Sequence, residues 1–130
     1  MVLVVTLSAG AAACRDDDAG GSSELSPAAV EGRQIALRAG CAACHGSDGD
    51  GGTGPAWAGS FGSEVELADG TTVTVDEAYL ARSITDPGAQ IHDGFAIQMP
   101  ENQLTDEEIA KVVAYIVELD GAASAEQAGE

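Results

Sequence analysis

The run Cys41-Ala42-Ala43-Cys44-His45 constrains this chain more than any other part of it. Two thiols stand three positions apart, and an imidazole follows the second directly. C-x-x-C-H is the spacing at which two sulfurs bond covalently to the vinyl groups of one haem while the adjacent histidine turns onto the iron. A chain with this motif has to fold around a large, flat, apolar ring, a single covalent haem c. Two other uses of paired cysteines fare worse. A redox dithiol needs no histidine at that place, and a four-ligand zinc site needs two more soft ligands that the remaining sequence does not supply.

The first fourteen residues read differently from the rest. Residues 2–13 are apolar or small throughout, and they stop at Cys14-Arg15. Such a run is too short to cross a bilayer and resembles the hydrophobic core and small-residue end of a bacterial secretion signal. The Ala11-Ala12-Ala13-Cys14 ending is similar to a lipoprotein signal, in which Cys14 becomes the lipidated first residue, although Ala11 stands where leucine is usual. Simple cleavage and an uncleaved segment are the alternatives, and all three are compatible with export. With Cys41 and Cys44 committed to haem, Cys14 has no disulfide partner, so lipid is a better use for it than a free reactive thiol. The expected location is periplasmic or on the outer face of the cytoplasmic membrane, with a lipid anchor.

Residues 15–27 are acidic and rich in glycine and serine, with Leu25 the only large apolar side chain. They read as a flexible linker, and residues 121–130 as a disordered tail of similar character. Residues 28–120 remain, enough for one domain whose own core would be modest. A haem at its centre supplies what that core lacks.

Charge narrows the choice of partner. Five basic residues against 22 acidic ones give a formal charge of −17. Nothing here neutralises phosphates, so nucleic acid is excluded as a partner. Adsorption to an anionic bilayer is excluded too, and membrane association has to come from the lipid or from a protein partner. Redox protein partners with a basic docking surface are the natural expectation, with a membrane respiratory complex among them. A salt-rich habitat, in which acidic surfaces serve solubility, is a second explanation compatible with the first.

The local signals predict a mostly helical chain. Ser26-Pro27 reads as an N-cap with proline at the first helical position, opening a helix that runs to about Arg38 and stops at Gly40. Gly32 in its middle costs nearly 1 kcal/mol relative to alanine, which points to close approach by another backbone or ring; Tyr115 is the expected neighbour. Residues 45–62 carry seven glycines and read as loop. Residues 65–73 alternate apolar and polar around Asp69-Gly70, a short β-hairpin signal. Thr74-x-x-Glu77 reads as a capping box opening a helix from about Val75 through Ile84, before Asp86-Pro87. A short helical turn is expected near residues 88–92. Thr105-x-x-Glu108 opens the last helix, whose face is Ile109, Val112, Val113, Ile116 and Leu119, with Gly121 as its stop. First and last helices crossing would clamp the domain.

An electron-transfer iron needs a sixth ligand. Met99 is the one methionine besides Met1, and it lies in a loop 54 residues after His45 with Pro100 restraining the backbone behind it. It is the candidate. His92, between Ile91 and Asp93, reads as an ordinary histidine in polar surroundings.

These residues together resemble a class I monohaem cytochrome c, and more closely the cytochrome c domain fused to subunit II of bacterial caa3-type haem-copper oxidases. The likeness spans residues 28–119. It rests on Cys41-x-x-Cys44-His45-Gly46, Gly54-Pro55, Leu67-Ala68-Asp69-Gly70 with Val73, Tyr79-Leu80 and Ser83-Ile84, Asp86-Pro87, Met99-Pro100, and Leu104-Thr105 leading to Tyr115-Ile116. The middle stretch, residues 69–87, points to the oxidase-associated branch. The resemblance implies an all-α cytochrome c fold around one covalent haem, with the hairpin as an insertion. It implies thioethers from Cys41 and Cys44, axial ligation by His45 and Met99, and a hydrogen bond from His45 Nδ1–H to the Pro55 carbonyl, the usual orienting contact of a ligating histidine. Two positions depart from the pattern. Ala36 replaces the aromatic residue usual before the haem motif, and Trp57 stands where leucine is common, with its indole expected to recover lost volume against the haem. Arg82 is a candidate propionate neighbour, although an ordinary solvent-facing arginine is the favoured reading.

The function implied is single-electron transfer in an exported respiratory chain, between a quinol-oxidising complex and a terminal oxidase, with no catalysis. A permanently bound cytochrome subunit of a respiratory complex is the alternative. A haem enzyme such as a peroxidase needs an open iron position, against which Met99 argues.

Overall fold

Two long helices that cross hold the molecule together. The computed structural model describes residues 24–128 of the chain, and the side chains of residues 24–120. The expectations for the signal-like segment, Cys14 and the acidic linker up to residue 23 lie outside the described residues. Helix α1 spans Pro27–Arg38, and Ser26 caps it by accepting the Ala29 amide at 3.2 Å. The same serine donates its own amide and its hydroxyl to Glu118, each at 2.7 Å, and Leu25 packs against the core. The packed body therefore starts at Leu25, inside the stretch expected to be linker.

A short second helix, α2, spans Ala42–His45 and carries the haem motif, where the sequence signals predicted only the end of α1 and then loop. Strands β1 (Glu64–Glu66) and β2 (Thr72–Thr74) pair antiparallel with Val65 opposite Val73. The hairpin closes through a bond from the Leu67 amide to the Thr71 carbonyl, with Gly70 at φ +83° where an L side chain would be strained. Beside the hairpin, His92 bridges to Leu67, so residues 91–93 run as an extended edge. The helical turn expected at residues 88–92 is absent. A single turn closes earlier, from the Ala89 amide to the Asp86 carbonyl, and the chain then takes up sheet pairing instead.

Helix α3 spans Glu77–Thr85, and its start corrects the predicted capping box. Thr74 belongs to β2, and Val75 is held in extended pairing because its amide donates to Ser63 and its carbonyl accepts from Gly62. Asp76 caps instead, accepting the Tyr79 amide at 2.7 Å. The end before Asp86-Pro87 is as expected.

Helix α4 spans Asp106–Ala128 and opens with the predicted capping box: the Thr105 amide donates to Glu108, and the Glu108 amide to Thr105 Oγ1. Its predicted face is the core, with Ile109, Val112, Val113 and Ile116 buried against Ala29, Ile35 and Ala36 of α1 and Leu80 and Ile84 of α3. Gly121 does not end it. The helix passes through that glycine to Ala128 because Ala122, Ala123, Ala125, Glu126, Gln127 and Ala128 are strong helix formers, whose summed preference outweighs the cost of about 1 kcal/mol for one glycine. The disordered tail expected from residue 121 is to that extent a helical extension.

The crossing of α1 and α4 accounts for Gly32. A Cβ there would stand 1.9 Å from the Lys111 carbonyl oxygen and 3.0 Å from Tyr115 Cβ. The close approach expected at Gly32 is real, but the nearest atom is helix backbone and not the tyrosine ring. Among the described residues no helix is long and apolar enough to cross a membrane. Among the described residues the architecture is four helices with one small hairpin.

Candidate functional site

Helix α2 turns the motif into a surface. Residues three and four apart share a helix face, so Cys41, Cys44 and His45 point together, and all three line one apolar cavity. Gly46 at φ +83° ends the turn directly after the histidine. Both thiols are free and half-buried. Burial pushes the Cys41 thiol up, with the neighbouring Cys44 adding to the rise. Reactive dithiols work through lowered thiol values, and burial at Cys41 acts in the other direction. Among the described residues no group of three or more His, Cys, Asp or Glu side chains could hold a metal ion, so the pair has no further partners for a zinc site there.

His45 is 8% exposed. Burial holds its imidazole below the usual range, partly countered by the Pro55 carbonyl, which lies 2.7 Å from Nδ1. A carbonyl only accepts, so Nδ1 carries the proton and Nε2 keeps its lone pair. That is the tautomer a metal-ligating histidine needs. Gly54 supplies the room: a Cβ there would stand 3.0 Å from His45 Cε1. Trp57, expected to pack on the haem, lies flat on the His45 ring, with centroids 4.6 Å apart and planes 18° from parallel. It also lines the cavity.

Part of the lining comes from much later in the sequence. Met99 and Pro100 line the same cavity, with Met99 half-buried against the core. Their loop is pinned by Asn102, whose side-chain amide donates to the Ile84 carbonyl at 2.7 Å and whose oxygen accepts the Leu104 amide. His92 also lines the cavity, where the sequence suggested polar surroundings; it is half-buried and sits edge-on to Phe95 at 5.1 Å. Arg82 is exposed and does not line the cavity.

Tyr79, Ser83, Gln90 and Asn102 line the cavity without having been assigned a role by sequence reasoning. Tyr79 and Ser83 lie four apart on α3 beside buried Leu80 and Ile84, a polar pair at the border of an apolar face, and that was the available signal. Burial raises the Tyr79 hydroxyl, with nearby Ser83 acting the other way. The two come near enough to interact, but Ser83 Oγ makes no hydrogen bond of normal geometry, and neither does Gln90 Oε1; both atoms are buried. Buried polar groups without partners are costly. An apolar cavity lined by two such atoms, by two thiols and by the His45 imidazole with Nε2 unprotonated fits a large apolar ring carrying polar substituents. The residues present fit a covalent haem.

The family Cytochrome c matches residues 29–120 of the sequence. The chain belongs to the cytochrome c family. No curated protein matches it. The family match implies a haem c cofactor and supports a general electron-carrier role for this cytochrome c. Members are typically non-catalytic carriers, and this cytochrome is classed with them, not with the enzymes. The match is to the family as a whole and singles out no oxidase-associated branch.

Proposed function

We propose that this cytochrome c holds one haem through thioethers from Cys41 and Cys44, with His45 and Met99 as axial ligands, and carries single electrons between exported redox proteins. The observation that carries the reading is the shared cavity: Met99 and Pro100, more than fifty residues further along the chain, line the same space as Cys41, Cys44 and His45. A haem bound there supplies a one-electron couple. Cys41 and Cys44 tether it, and their face of α2 orients it. His45 offers Nε2 while Pro55 holds its Nδ1 proton. Met99 offers a soft neutral sulfur, which favours the less charged ferrous state and keeps the potential positive. Buried Ile84, Val112 and Ile116 keep water out.

The donors and acceptors proposed are respiratory proteins with basic faces, complementary to the charge of −17. Cys14 as a lipidated terminus would keep the carrier at the outer face of the cytoplasmic membrane. The likeness of residues 69–87 to oxidase-associated domains favours a second reading, a subunit held permanently in a respiratory complex. Gentle membrane extraction separates the two: a stable co-purifying partner supports the subunit, a monomer the shuttle.

The ligand assignment is tested by potentiometry and absorption of Met99→Ala beside His92→Ala. Met99→Ala should lose the charge-transfer absorption of a thioether–iron bond and fall in potential, while His92→Ala stays near the wild type. The reverse pattern would mean bis-histidine ligation, since His92 also faces the cavity.

A further inference from the structure

Three groups close on the His45 imidazole, and only one of them is a hydrogen-bond partner. The Pro55 carbonyl fixes Nδ1 at 2.7 Å. A bond at one atom fixes a point and leaves the ring free to swing about it. The Trp57 indole removes that freedom, because it lies within 18° of parallel to the imidazole at 4.6 Å between centroids, a stacked contact of favourable separation. Gly54 approaches the same ring so closely that a Cβ would stand 3.0 to 3.3 Å from three of its atoms.

Trp57 is itself firmly placed. Its amide donates to the Gly49 carbonyl at 2.8 Å, and its own carbonyl accepts from the amide and the hydroxyl of Ser60. Its ring meets Tyr115 edge-on, with centroids 6.2 Å apart. Tyr115 is 1% exposed and sits where α4 presses on Gly32 of α1. A continuous line of contact therefore runs from the helix crossing through Tyr115 and Trp57 to His45.

We propose that Trp57 is a positioning residue: it sets the plane of the His45 ring and shields the bond to Pro55 from water, so that the α1–α4 crossing fixes the orientation of the axial imidazole. This rests on the reading of His45 as an iron ligand. Ring orientation decides how the imidazole overlaps the iron orbitals, and dryness around Nδ1–H disfavours the more highly charged ferric state. An indole that merely filled space would be replaceable by any apolar side chain of adequate size. One that positions the ring would not.

The test uses the full haem-loaded protein as wild type, Trp57→Phe and Trp57→Leu. In the ferric state the paramagnetically shifted haem-methyl proton resonances report the orientation of the axial ligand plane. Trp57→Phe, which keeps a flat face, should preserve the order and spread of those resonances. Trp57→Leu, apolar but without a face to stack, should reorder them and lower the midpoint potential. A leucine variant with wild-type resonances and potential overturns the proposal. A second measurement needs no variant: in the diamagnetic ferrous wild type, proton cross-relaxation between the indole and the His45 ring is expected, and its absence overturns the stack even where Trp57→Leu does not mature. Failure of the underlying reading looks different, because a wild type in which His45 is not bound to iron shows no shifted imidazole resonances at all.

Discussion

A methyl group at position 54 would meet Cε1, Nδ1 and Nε2 of His45 at 3.0, 3.2 and 3.3 Å. These distances are tighter than ordinary contact, and the imidazole has Trp57 stacked on it, so it cannot yield freely. Gly54→Ala should therefore destabilise the haem-loaded protein by about 1–3 kcal/mol, read as a lowered denaturant midpoint, and should disturb the ligand absorption band as well. At this scale the legible residues are those assigned to covalent chemistry under the proposed function. Two sulfurs and one iron on a single ring would impose a fixed interval on Cys41, Cys44 and His45, and the sequence carries that interval. The stack of Trp57 on His45 leaves no such trace, because the eleven residues of glycine-rich loop between them bring the rings together and no local spacing encodes their contact. Asn102 was hidden for the same reason: its partner is the Ile84 carbonyl, eighteen positions back at the end of another helix.

Helix ends were legible where the cap is the only structure competing for the residue. Ser26 and Thr105 cap α1 and α4 as their patterns predict. Thr74 shows the same signature but is claimed by the hairpin, so Asp76 caps α3 in its place. Likewise Gly121 looked like a stop, yet the alanine-rich run beyond it carries the helix through. Two variants test how these elements work. Thr105→Ala removes one half of the reciprocal cap and should cost about 1 kcal/mol, seen as a lower midpoint in thermal or denaturant unfolding. Gly32→Ala is the sharper case. In an isolated helix it would stabilise by nearly 1 kcal/mol, but here the new Cβ would stand 1.9 Å from the Lys111 carbonyl oxygen. Circular dichroism should show that Gly32→Ala lowers stability markedly; a gain would mean that α1 and α4 do not cross as described.

Across the whole molecule, charge and cofactor dominate. Arg33 pairs with Asp48, Arg38 with Glu108, and Lys111 with both Glu31 and Glu107, whose carboxylates push the lysine up to about 12. These pairs are largely at the surface and contribute little to stability. They also leave a molecule of charge −17 whose association with a basic partner should be steered over distance. Raising ionic strength from about 0.01 M to about 0.15 M shortens the screening length from about 30 Å to about 8 Å, so stopped-flow electron transfer from a basic partner should slow steeply. A flat salt dependence would assign the acidity to solubility in a salty habitat. The haem claim underlies all of this, and it is tested most directly by acid-acetone extraction followed by mass spectrometry of the denatured, matured chain. The account predicts that the pigment stays with the polypeptide at one haem per chain, and that changing Cys41 and Cys44 together to alanine releases it. Haem that extracts freely from the wild type, leaving an unmodified chain, would contradict the account at its centre.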